Sequence, residues 1–306
     1  MNVTVGESHT LHTSGPSRGR ERIGEAEKRS FYSGLPSLPL PLDRGRLAQA
    51  WLPPNASLLD IGCSAGYHVR HMARKAKRIV AIDVDRVALE VARKRVKSSR
   101  VTFLHYDGRQ LPFADASFDA VSMLDVLEHV FDRETLVAEI VRVLRPGGVW
   151  TVTVPYRGLL AWLSPENMAA DHPKLFKLLS GRFRPQIWIR EHNAGGQRHR
   201  HFSLQELQEL VDGRMSVERQ ARRGSLIYAL SYLALCFPPR LVARLWTAAC
   251  FTAMAADYEL SYGPLAYNLA VQFRKPKDWV FDSVDDPRTT VPAETTEPQI
   301  VEPAAA

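Results

Sequence analysis

The residues that could do chemistry begin with Asp60-Ile61-Gly62-Cys63-Ser64-Ala65-Gly66, where the apolar run 57–62 turns into a segment that reads as helical from Tyr67 to Lys77. Glycines at 62 and 66 let the backbone approach a ligand closely, and the N-terminus of a following helix offers unpaired N–H groups. Many nucleotide folds share such a turn. A second strand-like run, 78–83, ends in Asp83, 23 residues after Asp60. At that spacing a carboxylate can accept both hydroxyls of a ribose. A third run, 101–107, ends in Asp107 followed by Gly108. Three successive strands closing on Asp set carboxylates at the strand ends, where open α/β sheets bind ligands.

A proton-moving group is expected next to that edge. His129 follows the fourth run, 118–125, and has a suitable ordinary pKa for a general base. The other reading is that Glu128 and His129 brace the helix that follows. His192, His199 and His201 form a second cluster, but the H-x-H pair lacks a third ligand at a proper spacing, so no metal is expected. The same segment fits a structural or substrate-lining loop. Between Tyr156 and Phe202 lie Trp162, Phe176, Phe183 and Trp188 among Lys174, Lys177, Arg182, Arg184 and Arg190. Such a mixture can grip an aromatic or anionic acceptor, stack on single-stranded nucleic acid, or simply pack as a lid.

The elements that must position these residues alternate. Strands at 57–62, 78–83, 101–107, 118–125 and 149–155 are separated by helical patterns, among them Val87 to Val96 and the face Leu136, Val137, Ile140, Val141 and Leu144. This order predicts an α/β fold with a mostly parallel sheet covered by helices on both faces. Ser203-Leu204-Gln205-Glu206 is a capping box opening an amphipathic helix. A short helix is expected from Asp43 to the Pro53-Pro54 pair, and a last strand at 266–275. Before it, 225–237 and 245–256 carry no charge and are parted by Pro238-Pro239, with Arg240 and Arg244 between them. They read as a helical hairpin, 225–256, apolar on all sides, which must be buried in protein, a partner copy or lipid.

The chain has 306 residues, 45% hydrophobic and 24% charged, which excludes a disordered or collagen-like protein. Its domains divide as a flexible arm, 1–40, with 1–30 mostly disordered; a catalytic domain, 41–275, with a substrate-covering segment at 156–202; and a disordered acidic tail, 276–306. That tail carries −5 of formal charge and the rest +12, which favours anionic partners such as phosphate, an acidic substrate or an anionic membrane face. Cys63, Cys236 and Cys250 show no ligand-like pairing and read as free thiols. No apolar N-terminal run or spanning segment is present in the sequence, and the expectation is a cytoplasmic protein, at most peripheral at a membrane.

DIGCSAG, AIDVD, YDGRQLPFADASFDAVSMLDVLEHV and RVLRPGGVWTVTVP resemble the class I S-adenosylmethionine-dependent methyltransferases, type 11, most closely the small-molecule group that includes the quinone-biosynthesis O-methyltransferases. The resemblance covers about 55–155, with a weaker echo at 199–210. It implies a Rossmann-like, seven-stranded sheet and S-adenosylmethionine as cofactor. It assigns Asp60, Gly62 and Gly66 to the methionine end, with Ser64 standing where the family often has glycine. Asp83 falls on the ribose, Asp107 and Gly108 on the adenine, Leu124 on the adenine wall, and Asp125 on the cofactor side. The G-x-x-x-G spacing and the PFADASFDAV segment argue against a dinucleotide fold. The expected reaction is O-methylation of a small or lipid-linked acceptor, with no nucleic acid partner. An RNA-modifying enzyme and an inactive cofactor-binding protein are the alternatives.

Overall fold

The computed structural model describes residues 24–34, 43–108, 110–164, 200–236 and 243–279, together with 167, 171, 172, 174 and 178. Its centre is β1, Ser57–Ile61, buried at every position. A strand flanked on both sides and covered on both faces is buried at every position, so apolar Leu58, Leu59 and Ile61 show no alternation and polar Ser57 and Asp60 find hydrogen-bond partners inside, Arg78 and Ser122. β1 pairs in parallel with β2, Arg78–Asp83, and with β4, Phe118–Leu124. β3, Val101–His105, extends the sheet beyond β2, and β5, Leu144–Pro155, lies beyond β4. The sheet ends with β7, Asn268–Arg274, antiparallel between β5 and β6, Ser216–Arg223. The order is therefore β3-β2-β1-β4-β5-β7-β6, a seven-stranded, mostly parallel α/β sheet as expected.

Two apolar layers sandwich it. On one face α5, Arg133–Val143, and α6, Leu204–Val211, pack over Leu59, Val121, Trp150, Val152 and Phe273. On the other, α2, Asp43–Trp51, α3, Val69–Met72, and α4, Arg86–Arg95, cover Leu58, Ile79, Ala81 and Ala120. Ser203 and Glu206 form the reciprocal cap of α6. Arg142 of α5 bonds Glu139, Asp115 and the carbonyls of Leu111 and Phe113, so one guanidinium pins the whole connection from β3 to β4.

Three expectations are corrected. The helix expected from Tyr67 to Lys77 shrinks to Val69–Met72. Beyond Ala73 the chain closes tighter turns, Arg74 N to His71 O and Lys75 N to Met72 O, and Lys75 Nζ turns aside to the carbonyls of Gln49 and Ala50 at the end of α2. Part of the arm expected to be disordered is the helix α1, Glu25–Gly34. Tertiary bonds that its composition could not reveal hold it to α4: Lys28 and Tyr32 both reach Asp85, and Arg95 donates to Tyr32 O at 2.7 Å. The expected tail boundary at 276 also moves, because Trp279 packs on the α5 side of the core with Lys275 Nζ 5.3 Å from its ring.

The hairpin lies between β6 and β7 as two helices, α7, Leu226–Cys236, and α8, Ala243–Tyr258. Asp257 binds it at its base, accepting from Ser225 N and Oγ, Tyr228 N and Tyr262 Oη. One side is buried in a cluster of Tyr228, Cys250, Met254, Tyr258 and Tyr267. Within the chain itself Leu226, Ile227, Leu230, Leu245 and Trp246 stay exposed. Its turn, with Pro238, Pro239 and Arg240, falls outside the described residues.

Candidate active site

The loop after β1 is shaped by its own amides. Gly62 N and Cys63 N both donate to Ile82 O, at 2.9 and 3.0 Å, and Gly66 N donates to Cys63 O. Gly62, Ser64 and Gly66 all take positive φ, +76°, +47° and +73°. Glycine does so freely, serine at a cost. At Gly62 the requirement is also steric, since a Cβ there would stand 2.3 Å from Val126 Cγ2. The segment after β4 is thereby drawn down onto the loop after β1.

The strand-end acids converge around that loop. Asp83 accepts from Ser64 N at 2.7 Å and from Asp85 N at 2.8 Å, and its burial raises its pKa. Asp60 is buried at 4% exposure and accepts from Ser122 Oγ. Burial pushes its pKa up to about 7, against the lowering effect of the Ser122 hydrogen bond, with the charge of Asp83 adding to the rise. Tyr106 N donates to Asp83 O, which fastens the end of β3 beside β2 and leaves Asp107 exposed and Gly108 at φ +84°. Asp85 caps α4 through Val87 N and Ala88 N.

At the end of β4, Leu124 is half-buried and Asp125 takes φ +53°. Asp125 is held from two sides: Thr153 Oγ1 donates to Oδ1 at 2.8 Å, and Arg44 Nη2 pairs with Oδ2 at 2.7 Å. Arg44 also donates to Tyr228 Oη at 2.9 Å. One guanidinium of α2 thus joins the end of β4 to the base of the hairpin. A 3₁₀ turn, Leu127–His129, follows, with Glu128 buried and His129 half-exposed.

Asp60, Gly62, Ser64, Gly66 and Asp83 are therefore brought into one constellation, with Asp107 and Gly108 at the neighbouring strand end and Leu124 and Asp125 across Val126. His129 sits one short turn farther on. Sequence reasoning missed Arg44, Ser122 and Thr153. Ser122 is the polar residue of the apolar stretch 120–124, a signal that was legible, but nothing local marks Arg44. His192 and His199 lie outside the described residues, and His201 is buried with Nδ1 3.5 Å from Asn167 Nδ2. Among the described residues no group of three or more His, Cys, Asp or Glu could hold a metal ion.

Residues 59–152 match the model of a family described as a methyltransferase domain. A Mycolicibacterium smegmatis protein named "Probable S-adenosylmethionine-dependent methyltransferase/" is 40% identical over 100 residues, 33% of this chain and 38% of that protein. An O-methyltransferase of Penicillium expansum, cnsE, is 35% identical over 123 residues, 39% and 42% of the two chains. The chain thus spans well under two thirds of these relatives' lengths. The crystal structure of the cyclase SpnF superposes with a TM-score of 0.51 at 21% identity, over 81% of this chain and 92% of that one, a likeness of fold alone. Over residues 59–152 the chain is thus similar to S-adenosylmethionine-dependent methyltransferases, on a sheet of the order β3-β2-β1-β4-β5-β7-β6.

Proposed function

We propose that this protein transfers a methyl group from S-adenosylmethionine to an oxygen of a small-molecule or lipid-linked acceptor. The observation that carries the reading is the meeting of the Gly62–Gly66 loop with carboxylates at three adjacent strand ends, Asp60, Asp83 and Asp107. The donor set suits the cofactor. Asp83 presents a carboxylate to the ribose hydroxyls, and Asp107 with Gly108 and Leu124 borders the adenine. Asp60, Gly62, Ser64 and Gly66 hold the amino-acid end, where a carboxylate complements an ammonium. When bound there, S-adenosylmethionine supplies an electrophilic methyl on a sulfonium centre.

The chain's own work is then alignment and proton removal. Val126 packed against Gly62 fixes where the segment after β4 stands relative to the cofactor loop. His129, at the end of the turn on that segment, takes the proton of the acceptor hydroxyl as the oxygen attacks. An O-methyltransferase among the relatives supports oxygen as the methylated atom.

The lipid-linked form of the acceptor rests on the hairpin. Among the described residues no helix is long and apolar enough to cross a membrane. Yet Leu226, Ile227, Leu230, Leu245 and Trp246 are exposed on a unit whose base reaches Asp125 through Tyr228 and Arg44. An apolar surface of this kind, on a body carrying +12, suits a peripheral dock on anionic lipid.

Calorimetry with S-adenosylhomocysteine and with NAD tests the cofactor: the first binds and the second does not, and the reverse overturns the reading. Flotation with anionic vesicles tests the dock. Binding lost at high salt and on Leu230→Glu with Trp246→Glu supports it, whereas a protein that ignores vesicles makes the acceptor a soluble molecule.

A further inference from the structure

Past the end of β5 the chain makes one more parallel step. Phe202 N donates to Pro155 O and Arg157 N to Phe202 O, both at 2.9 Å, which pairs Tyr156 with Phe202. Paired residues of a ladder point to the same side, so the two rings lie next to each other and pack on the same apolar layer. Guanidinium groups are stacked on this shelf. Arg133 Cζ lies 5.8 Å and Arg200 Cζ 5.1 Å from the centre of the Phe202 ring, and Arg222 Cζ lies 5.3 Å from that of Tyr156.

Little negative charge offsets them. Arg133 donates to the carbonyls of Leu127 and Glu128, and no carboxylate among the described residues forms an ion pair with it. Glu128 and Glu134 act on it only through space, and the charge of Arg200 opposes its own. Arg200 stands 3.6 Å from Glu206, whose carboxylate is already bonded to Arg157 at 2.7 Å. Arg222 Nε is buried and makes no hydrogen bond, and among the described residues no carboxylate pairs with this side chain. A buried donor left unused is costly unless something arrives to use it. Planar guanidiniums on aromatic faces, with donors such as Arg222 Nε unused, are built to take oxyanions.

We infer that Arg133, Arg200 and Arg222, on the Tyr156–Phe202 shelf, form a binding site for an oxyanion, phosphate or carboxylate, carried by the methyl acceptor. The word acceptor rests on the methyltransferase reading; the anion site does not. Arg133 opens the helix that follows the His129 turn, so the site lies on the same edge of the sheet as the proposed base. An anion held there would present a neighbouring hydroxyl to the cofactor side.

The test titrates the full chain with phenyl phosphate, benzoate and phenol, which share a ring and differ in charge, following affinity by calorimetry. At least one of the two anions should bind roughly tenfold or more tighter than phenol, and which one identifies the group. Arg222→Met, and Arg133→Met with Arg200→Met, should each weaken that anion by about tenfold or more. Exchange of exposed Arg219 for Gln should leave it unchanged. Where Arg222→Met fails to fold, Arg222→Lys keeps the charge without the fork and should still lose several-fold. Equal binding of all three probes, or full anion affinity in the arginine variants, overturns the inference. S-adenosylhomocysteine is titrated alongside. Its failure to bind, with anion binding intact, would sink the methyltransferase reading and leave the anion site standing.

Discussion

At the β1–β2–β3 end of the sheet's carboxyl edge the charged side chains facing the loops are mostly acids, Asp60, Asp83, Asp85 and Asp107, with Lys28 and Arg95 alongside, whereas at the β5–β7–β6 end they are mostly arginines, Arg157, Arg222 and Arg223, with Arg133 and Arg200 alongside. The acidic half is organised by backbone amides over short reaches, as when Ser64 N and Asp85 N both turn to Asp83. The basic half is organised by side chains stacked across long stretches of chain, as with Arg222 over Tyr156. The seam is the Asp125–Arg44 pair. A cationic cofactor seats naturally in the acidic half and an anionic acceptor in the basic half, so the two reactants would be drawn to opposite sides of one seam before the chemistry begins.

The largest expected effect lies wholly within the acidic half. Asp83→Ala removes the carboxylate proposed for two ribose hydroxyls, each charge-assisted bond contributing about 1.5–3 kcal/mol. It also strips Ser64 N and Asp85 N of their acceptor. Affinity for S-adenosylhomocysteine should fall by about two orders of magnitude or more, while phenyl phosphate or benzoate binding on the shelf stays as it was. Calorimetry on the one variant reads both. If the two fall together, the halves are not separate sites.

That division also sets what was legible in the sequence. The acidic half could be read because each part is local: Gly62 and Gly66 stand four residues apart, and each acid ends its own apolar run. The sheet followed from the same runs, since β1, with Leu58, Leu59 and Ile61, is mostly apolar and buried on both sides. The basic half was not legible. Tyr156 and Phe202 meet only through a bridge between distant segments, and Arg44 reaches Asp125 only because α2 folds back over the sheet. Composition gave the sign of the charge but not its place. The same blindness applied to α1, whose polar sequence gives no hint of Asp85 waiting beside α4.

A smaller effect tests the chemistry between the halves. His129→Ala should lower turnover roughly a hundredfold by removing the proton acceptor, with cofactor affinity within about twofold of wild type. A variant that keeps its rate shows that His129 braces the turn and that alignment alone drives the transfer. Weaker still is the seam. The Arg44 and Asp125 side chains are 20% and 23% exposed, so solvent screens part of their pairing. Arg44→Met should therefore cost about 1 kcal/mol of stability, and Tyr228→Phe about 0.5–1.5 kcal/mol for one hydroxyl bond. Measured by urea denaturation, the double variant should fall short of the sum, because both substitutions break the same Arg44–Tyr228 link. Full additivity would mean that the hairpin and the end of β4 are not coupled through Arg44.

A separate effect is a pH dependence carried by Asp60. Its pKa stands at about 7 in the folded chain against an ordinary 3.8. Between those values the folded protein holds a proton that the unfolded chain has released. The stability this group contributes is thus full below about pH 4 and is lost as pH rises through 7. Asp60→Asn keeps a neutral side chain at all pH, so the stability difference between wild type and variant should decline steadily across that window and level off above it. Cofactor binding should run the other way. An ammonium beside Asp60 favours the ionised carboxylate, so S-adenosylhomocysteine should bind more tightly as pH rises towards 7 and release a proton as it does so. Calorimetry in buffers of different ionisation enthalpy would show that proton in the wild type and not in Asp60→Asn. A flat stability difference together with no proton release would mean that Asp60 stays ionised against Ser122, and that the acidic half carries its full charge before the cofactor arrives.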